Sequence, residues 1–249
     1  MELLQVLLDS FKWTQLLQPQ FYIEHGGLWL LLFVVFAETG LFAGFFFPGD
    51  SLLFVAGIFA HEMKVEGVTE PGLAHQFLSH IGMGHVQNEW LDLFVLTALL
   101  TVAGVLGNLV GYWTGRIVGK TMYTWKDGFF FKQRYLNQAH DFYEKRGGGA
   151  IVVARFLPFI RTFAPIVAGI VKMDQAKFNL YNIIGCVAWV ISMIFAGHFL
   201  QKWIFEWLGF DLKEHLEIIV LGIVVVTTLP VILNMVRGKR KPVHPDQTA

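Results

Sequence analysis

Charge is scarce in this sequence. Of 249 residues only 15% are Asp, Glu, Lys or Arg, where soluble domains carry about 25%. The formal net charge is zero, so no global field favours nucleic acid. Cysteine is scarcer still. The single Cys186 has no partner for an intrachain disulfide, and no CxxC or Cys/His spacing offers a metal site. Residues 1–11 lack the basic start of a secretory signal, so no cleavage is expected. What fills the sequence is apolar: 55% hydrophobic residues, 24 Phe and 8 Trp, and a mean hydropathy of +0.53. That composition points to a membrane protein.

The apolar runs are of two kinds. Residues 93–115 and 178–200 each read as a single transmembrane span, and 216–236 reads as a third, kinked near Pro230. The runs 29–60 and 150–172 do not fit a plain span. The first holds Glu38 and Asp50 around the breakers Gly44, Pro48 and Gly49; the second holds Arg155 and Arg161 around Pro158 and Pro165. The first is too short to cross twice, since two crossings need about 40 residues. Both are expected to enter the membrane and return, a path tolerated only where protein or a wet cavity surrounds the backbone. Leu3, Leu4, Leu7, Leu8 and Phe11 share one face of an expected amphipathic helix over 1–28. Residues 61–91 read as a polar, solvated loop, and 237–249 as a basic tail.

Basic residues concentrate in 116–146 and in Arg237, Lys239, Arg240 and Lys241, with Lys172 and Lys177 alongside. Cytoplasmic loops carry the excess of Lys and Arg, so these segments and the C-terminus are expected inside. The scheme closes only if both odd runs return to their own side. The expected fold is therefore an all-α integral membrane protein: an inverted repeat of re-entrant hairpin plus transmembrane helix within 29–204, with an amphipathic N-terminal helix and an extra C-terminal span. Gly107, Gly111, Gly115 and Gly119 form a ridge for close helix approach, within one chain or between copies in a homo-oligomer.

Four ionisable residues then lie at membrane depth, at about 2.5–3.5 kcal/mol each on insertion scales. Glu38 and Asp50 flank Gly44 symmetrically, and Arg155 and Arg161 flank Pro158. Two readings stay open from the residues. In one, the four form a salt-bridge network that ties the hairpins together, weak in net stabilisation because desolvation offsets the attraction. In the other, the arginines grip a phosphate through their planar forks and the acids carry protons.

The blocks Glu38, Thr39, Gly40, then Pro48, Gly49, Asp50, Ser51; Gly104, Gly107, Asn108, Gly111, Tyr112, Gly115, Arg116; and Arg155, Phe156, Pro158, Arg161, Thr162, Pro165, Gly169 together resemble the DedA family, in the wider VTT or SNARE-associated group. The resemblance implies paired re-entrant hairpins, a bacterial inner-membrane location and lipid transport. Its substrates would be undecaprenyl phosphate or a phospholipid such as phosphatidylethanolamine, with dependence on the proton gradient in some relatives. The family's functional positions map onto Glu38, Asp50, Arg155 and Arg161. The 61–91 segment is longer than the family suggests. Its His61, His75, His80 and His85 lack the i,i+3 or i,i+4 spacing of helical metal ligands.

The expectation is a lipid transporter that binds membrane lipids and an anionic headgroup, not an enzyme, with no cofactor or metal beyond a proton gradient. Competing readings are a proton-coupled exporter of small solutes, which two arginines would disfavour for cations, and an enzyme acting on lipid phosphates. The second would need a nucleophile or base in reach of the phosphate. Neither hairpin contains a histidine, His198 lies near the end of its span, and Ser51 has no base nearby in sequence.

Overall fold

The structure is a computed structural model. It describes residues 19–41, 49–60, 62–65, 68–84, 88–122 and 148–209. Seven helices make up most of it: α1 (Pro19–Gly40), α2 (Gly49–Ile58), α3 (Leu73–His80), α4 (Glu89–Met122), α5 (Gly149–Arg155), α6 (Pro158–Ile170) and α7 (Gln175–Leu208). The remainder includes one antiparallel ribbon, β1 (Glu62–Val65) with β2 (Val68–Pro71), in the register Glu62 to Pro71 and Val65 to Val68. The expected all-helical architecture thus carries one short β-ribbon between α2 and α3.

Helices α4 and α7 have 34 residues each, or about 51 Å at 1.5 Å per residue, and both are long and apolar enough to cross a membrane. They outrun the expected spans 93–115 and 178–200 at both ends. Side-chain capping fixes their starts. The Asn88 carboxamide oxygen accepts from Trp90 and Leu91 N–H at 3.0 and 3.1 Å, and Asp174 accepts from Lys177 N–H at 2.9 Å. Gly209, at φ 63°, ends α7 in the left-handed conformation. Along α4 the exposed side chains run apolar from Trp90 through Phe94, Val102, Leu106 and Val110 to Trp113. The two tryptophans stand about 35 Å apart on the helix, close to the ~30 Å hydrocarbon thickness, as interfacial aromatics do.

By contrast α2, α5 and α6, with 10, 7 and 13 residues, reach only about 15, 10 and 20 Å and cannot cross. Helix α1 is broken at Gly27, whose φ is 53°. The break frees the Leu28 N–H, which donates to Gln76 Oε1 of α3 at 2.9 Å. The segment expected to be a solvated loop is therefore partly structural. Leu73, Ala74 and Leu78 of α3 are buried, and α3 packs on α1 and α4. A loop reading misses this because the supporting contacts come from residues far away in sequence.

Packing follows one scheme. Helix α4 lies against α1 and α6; α7 lies against α5 and α2; α4 and α7 touch each other; α1 pairs with α2, and α5 with α6. Several crossings admit only glycine, Gly40 against Gly107 among them. A Cβ on Gly115 would strike the Ile166 carbonyl and one on Gly169 the Tyr112 carbonyl, while Gly57 and Gly197 stand in the same relation to the Ile194 and Phe54 carbonyls. Pro165, expected as a breaker, lies inside α6. The lost N–H is tolerated there because the surrounding helices hold the segment in place, and Pro165 packs where Gly111 leaves room. Pro158 does mark a break, at the first turn of α6. Gly44, Pro48, most of the 1–28 helix and of the 116–146 loop, His61, His85, the 216–236 span and the tail lie outside the described residues.

Candidate functional site

Three elements meet at Arg161. Glu38 stands in the last turn of α1, Asp50 in the first turn of α2, and Arg161 in the first turn of α6. The guanidinium forks: Nη2 bonds Glu38 Oε1 and Nη1 bonds Asp50 Oδ1. Glu38 is 2% exposed. Its other oxygen occupies the space where Gly49 would carry a Cβ, so glycine at this helix start makes room for the carboxylate. Charge-assisted forks of this kind fix geometry as well as energy.

Arg155 is the last residue of α5 and is 4% exposed. Its hydrogen-bond partners are neutral. Nη2 donates to Asn182 Oδ1 at 3.2 Å and lies 2.7 Å from Cys186 Sγ. Asn182 Nδ2 donates to the Val105 carbonyl at 3.2 Å. Asn108, buried on α4, lies beside Asn182 at 2.5 Å; with its amide turned over, its oxygen faces Arg155 and its nitrogen reaches the Thr39 carbonyl at 3.1 Å. None of the salt bridges among the described residues involves Arg155.

Trp189 of α7, fully buried, joins the two halves. Its Nε1 donates to Asp50 Oδ1 at 2.8 Å. The guanidinium carbons of Arg155 and Arg161 lie 5.3 and 5.2 Å from its ring centroid, within cation–π range. The formal charges then divide unevenly. Glu38, Asp50 and Arg161 sum to −1, Arg155 carries +1, and the whole site is neutral. Neutrality holds across the site rather than pair by pair.

The four charged positions expected from the sequence thus come together, but with the arginines in unequal roles. Asn182, Cys186 and Trp189 were not singled out as site residues. They recur at i, i+4 and i+7 on α7, one helical face, and an asparagine within an apolar span is a signal in its own right. Gly49 lies in the site; Pro158 and Pro165 shape α6 around it. No group of three potential metal ligands occurs among the described residues. His75 and His80 lie on α3; the His80 ring Nδ1 lies 2.8 Å from the Gln76 carbonyl and its ring meets Trp29 edge-on at 6.0 Å. His198 pairs with Glu89 at 2.8 Å near one end of α4 and α7, where Lys202 also approaches Glu89 at 3.4 Å, away from the arginines.

Long apolar helices with interfacial tryptophans, and charged side chains gathered between short helices, define a polytopic membrane protein. Residues 47–199 match the VTT domain, a stretch that takes in Asp50, both arginines and Trp189. The chain is 32% identical over 243 residues to the protein DedA of Escherichia coli K12, covering 96% of this chain and 97% of that protein. It is 32% identical over 209 residues to the inner membrane protein YqjA of the same strain, covering 81% and 80%. An uncharacterized membrane protein of Mycobacterium leprae is 32% identical over 230 residues, covering 90% and 89%. No solved structure matches. The chain belongs to the DedA family of membrane proteins.

Proposed function

We propose that this protein carries a phosphate-bearing lipid across the bilayer, undecaprenyl phosphate or a phospholipid, and that Arg155 takes the phosphate. One observation carries the reading: a buried arginine at membrane depth makes no ion pair and bonds only neutral groups, six residues from an arginine that holds two carboxylates. An intramembrane ion is expensive to keep and marks a pathway by default. A guanidinium with no bonded carboxylate favours an anion over a cation. Glu38 and Asp50 are the proton carriers in this reading. A proton on either acid loosens its hold on Arg161 and offers a second fork to the phosphate, which couples the two occupancies.

The packing scheme supports a hairpin-plus-span inverted repeat. Exchanging α1, α2 and α4 with α5, α6 and α7 turns the α4 contacts with α1 and α6 into those of α7 with α5 and α2. The paired glycine crossings Gly115 with Gly169 and Gly197 with Gly57 exchange in the same way. Short helices that cannot cross then become the arms of two re-entrant hairpins meeting mid-membrane. The location that goes with this is the bacterial inner membrane, with the basic segments and C-terminus cytoplasmic.

The test is reconstitution with a panel of labelled lipids, with and without a proton gradient. Arg155→Lys keeps the charge and loses the fork, so transport should fall; unchanged transport removes bidentate phosphate binding. Glu38→Gln and Asp50→Asn should abolish gradient dependence, and full dependence in both removes the acids as proton carriers. We propose a carrier rather than an enzyme. Release of inorganic phosphate from a lipid phosphate by the purified protein would reverse that assignment.

A further inference from the structure

We infer that Trp189 is a positioning residue with two separable jobs: its ring face stands in for a counter-ion beneath Arg155, and its N–H ties the acids to the same indole. This rests on the reading of Arg155 as the phosphate ligand. A buried guanidinium normally takes a carboxylate partner. Arg155 instead has the Asn182 carboxamide, the Cys186 sulfur and the Trp189 ring at 5.3 Å. Tryptophan gives the strongest cation–π contact of the aromatic residues, and a desolvated site strengthens it. A ring attracts the cation without neutralising it. The guanidinium thus stays held, charged and open to an anion, which a carboxylate at the same place would exclude.

The second job follows from the opposite edge of the chemistry. The Trp189 N–H donates to Asp50 Oδ1 at 2.8 Å, the oxygen that also receives Arg161. Arg161 lies 5.2 Å from the same ring centroid. One rigid side chain therefore touches both arginines and one acid, and a shift of Arg155 onto an arriving phosphate is felt at Asp50 through it.

Two variants separate the jobs. Trp189→Phe keeps a face and loses the N–H; Trp189→Leu loses both. In detergent, the dissociation constant for a short-chain isoprenyl phosphate should stay within about threefold in Trp189→Phe and rise about tenfold in Trp189→Leu. Transport of the same probe in vesicles should fall about tenfold in Trp189→Phe, through turnover rather than KM. Equal losses of affinity in the two variants overturn the role of the ring, and parental turnover in Trp189→Phe overturns the role of the N–H.

A thermal cycle reads the ring without transport. Parent, Arg155→Met, Trp189→Leu and the double variant are compared by Tm. The Leu cavity is common to both backgrounds, so a loss about 2–4 °C smaller when Arg155 is absent supports the contact. Additive losses overturn it. A parent that binds neither an isoprenyl phosphate nor a short-chain phospholipid defeats the function proposed above, and the cycle then decides the ring's hold on Arg155 alone.

Discussion

Arg155 and Arg161 are six residues apart, both buried, and both lie just over 5 Å from the Trp189 ring centroid. Their surroundings differ in kind. Arg161 is gripped by Glu38 and Asp50 from two other helices; Arg155 meets Asn182 and Cys186 on α7. The difference teaches that charge in this site is balanced over the whole cluster. The Arg161 side has one negative charge too many and the Arg155 side one positive charge too many, and the two sides balance each other. Arg161 also closes the structure, since its fork spans the segments around α1, α2 and α6. Arg155 links only α5 to α7, and it does so through dipoles and a ring face.

Breaking the Arg161 side should do the most damage. Arg161→Met leaves two buried carboxylates without a cation and should lower stability by about 3–5 kcal/mol, read by thermal unfolding in detergent. Adding Glu38→Gln and Asp50→Asn should recover part of the loss; no recovery would mean that the fork does not set the balance. Asn182→Leu strips Arg155 of an oxygen acceptor and should come next, at about 1–3 kcal/mol by the same measurement. Arg155→Met removes the buried cation without breaking a bond to a carboxylate, since Glu38 and Asp50 keep Arg161. Its stability should change by no more than about 1 kcal/mol, while phosphate-lipid transport is lost. A stability loss matching that of Arg161→Met would erase the contrast between the two arginines. Smallest of all, Lys202→Met removes a half-exposed lysine at 3.4 Å from Glu89 and should shift stability by no more than about 0.5 kcal/mol, with transport unchanged.

The charged side chains were legible because an apolar run makes any ion conspicuous. Glu38, Asp50, Arg155 and Arg161 stood out for that reason, and Gly49 and Pro158 marked the breaks beside them. Trp189 did not stand out, since a tryptophan in an apolar span is unremarkable until its neighbours are known. Pro165 was misleading: its chemistry breaks isolated helices, yet packing against α4 carries α6 through it. The 61–91 segment misled in the opposite sense. Its polar composition hid α3, whose Gln76 supplies the oxygen that the Gly27 break leaves Leu28 needing.

The sequence alone determined that the chain lives in a membrane, where its long helices lie, and which four ions must be shielded from lipid. These follow from local composition, because hydrophobicity and helix length act over one segment at a time. Only the tertiary structure decided which arginine holds the acids and which bonds neutral groups. That choice depends on distances between α1, α2, α6 and α7, and electrostatic energy at membrane depth is set by those separations rather than by the order of residues along the chain.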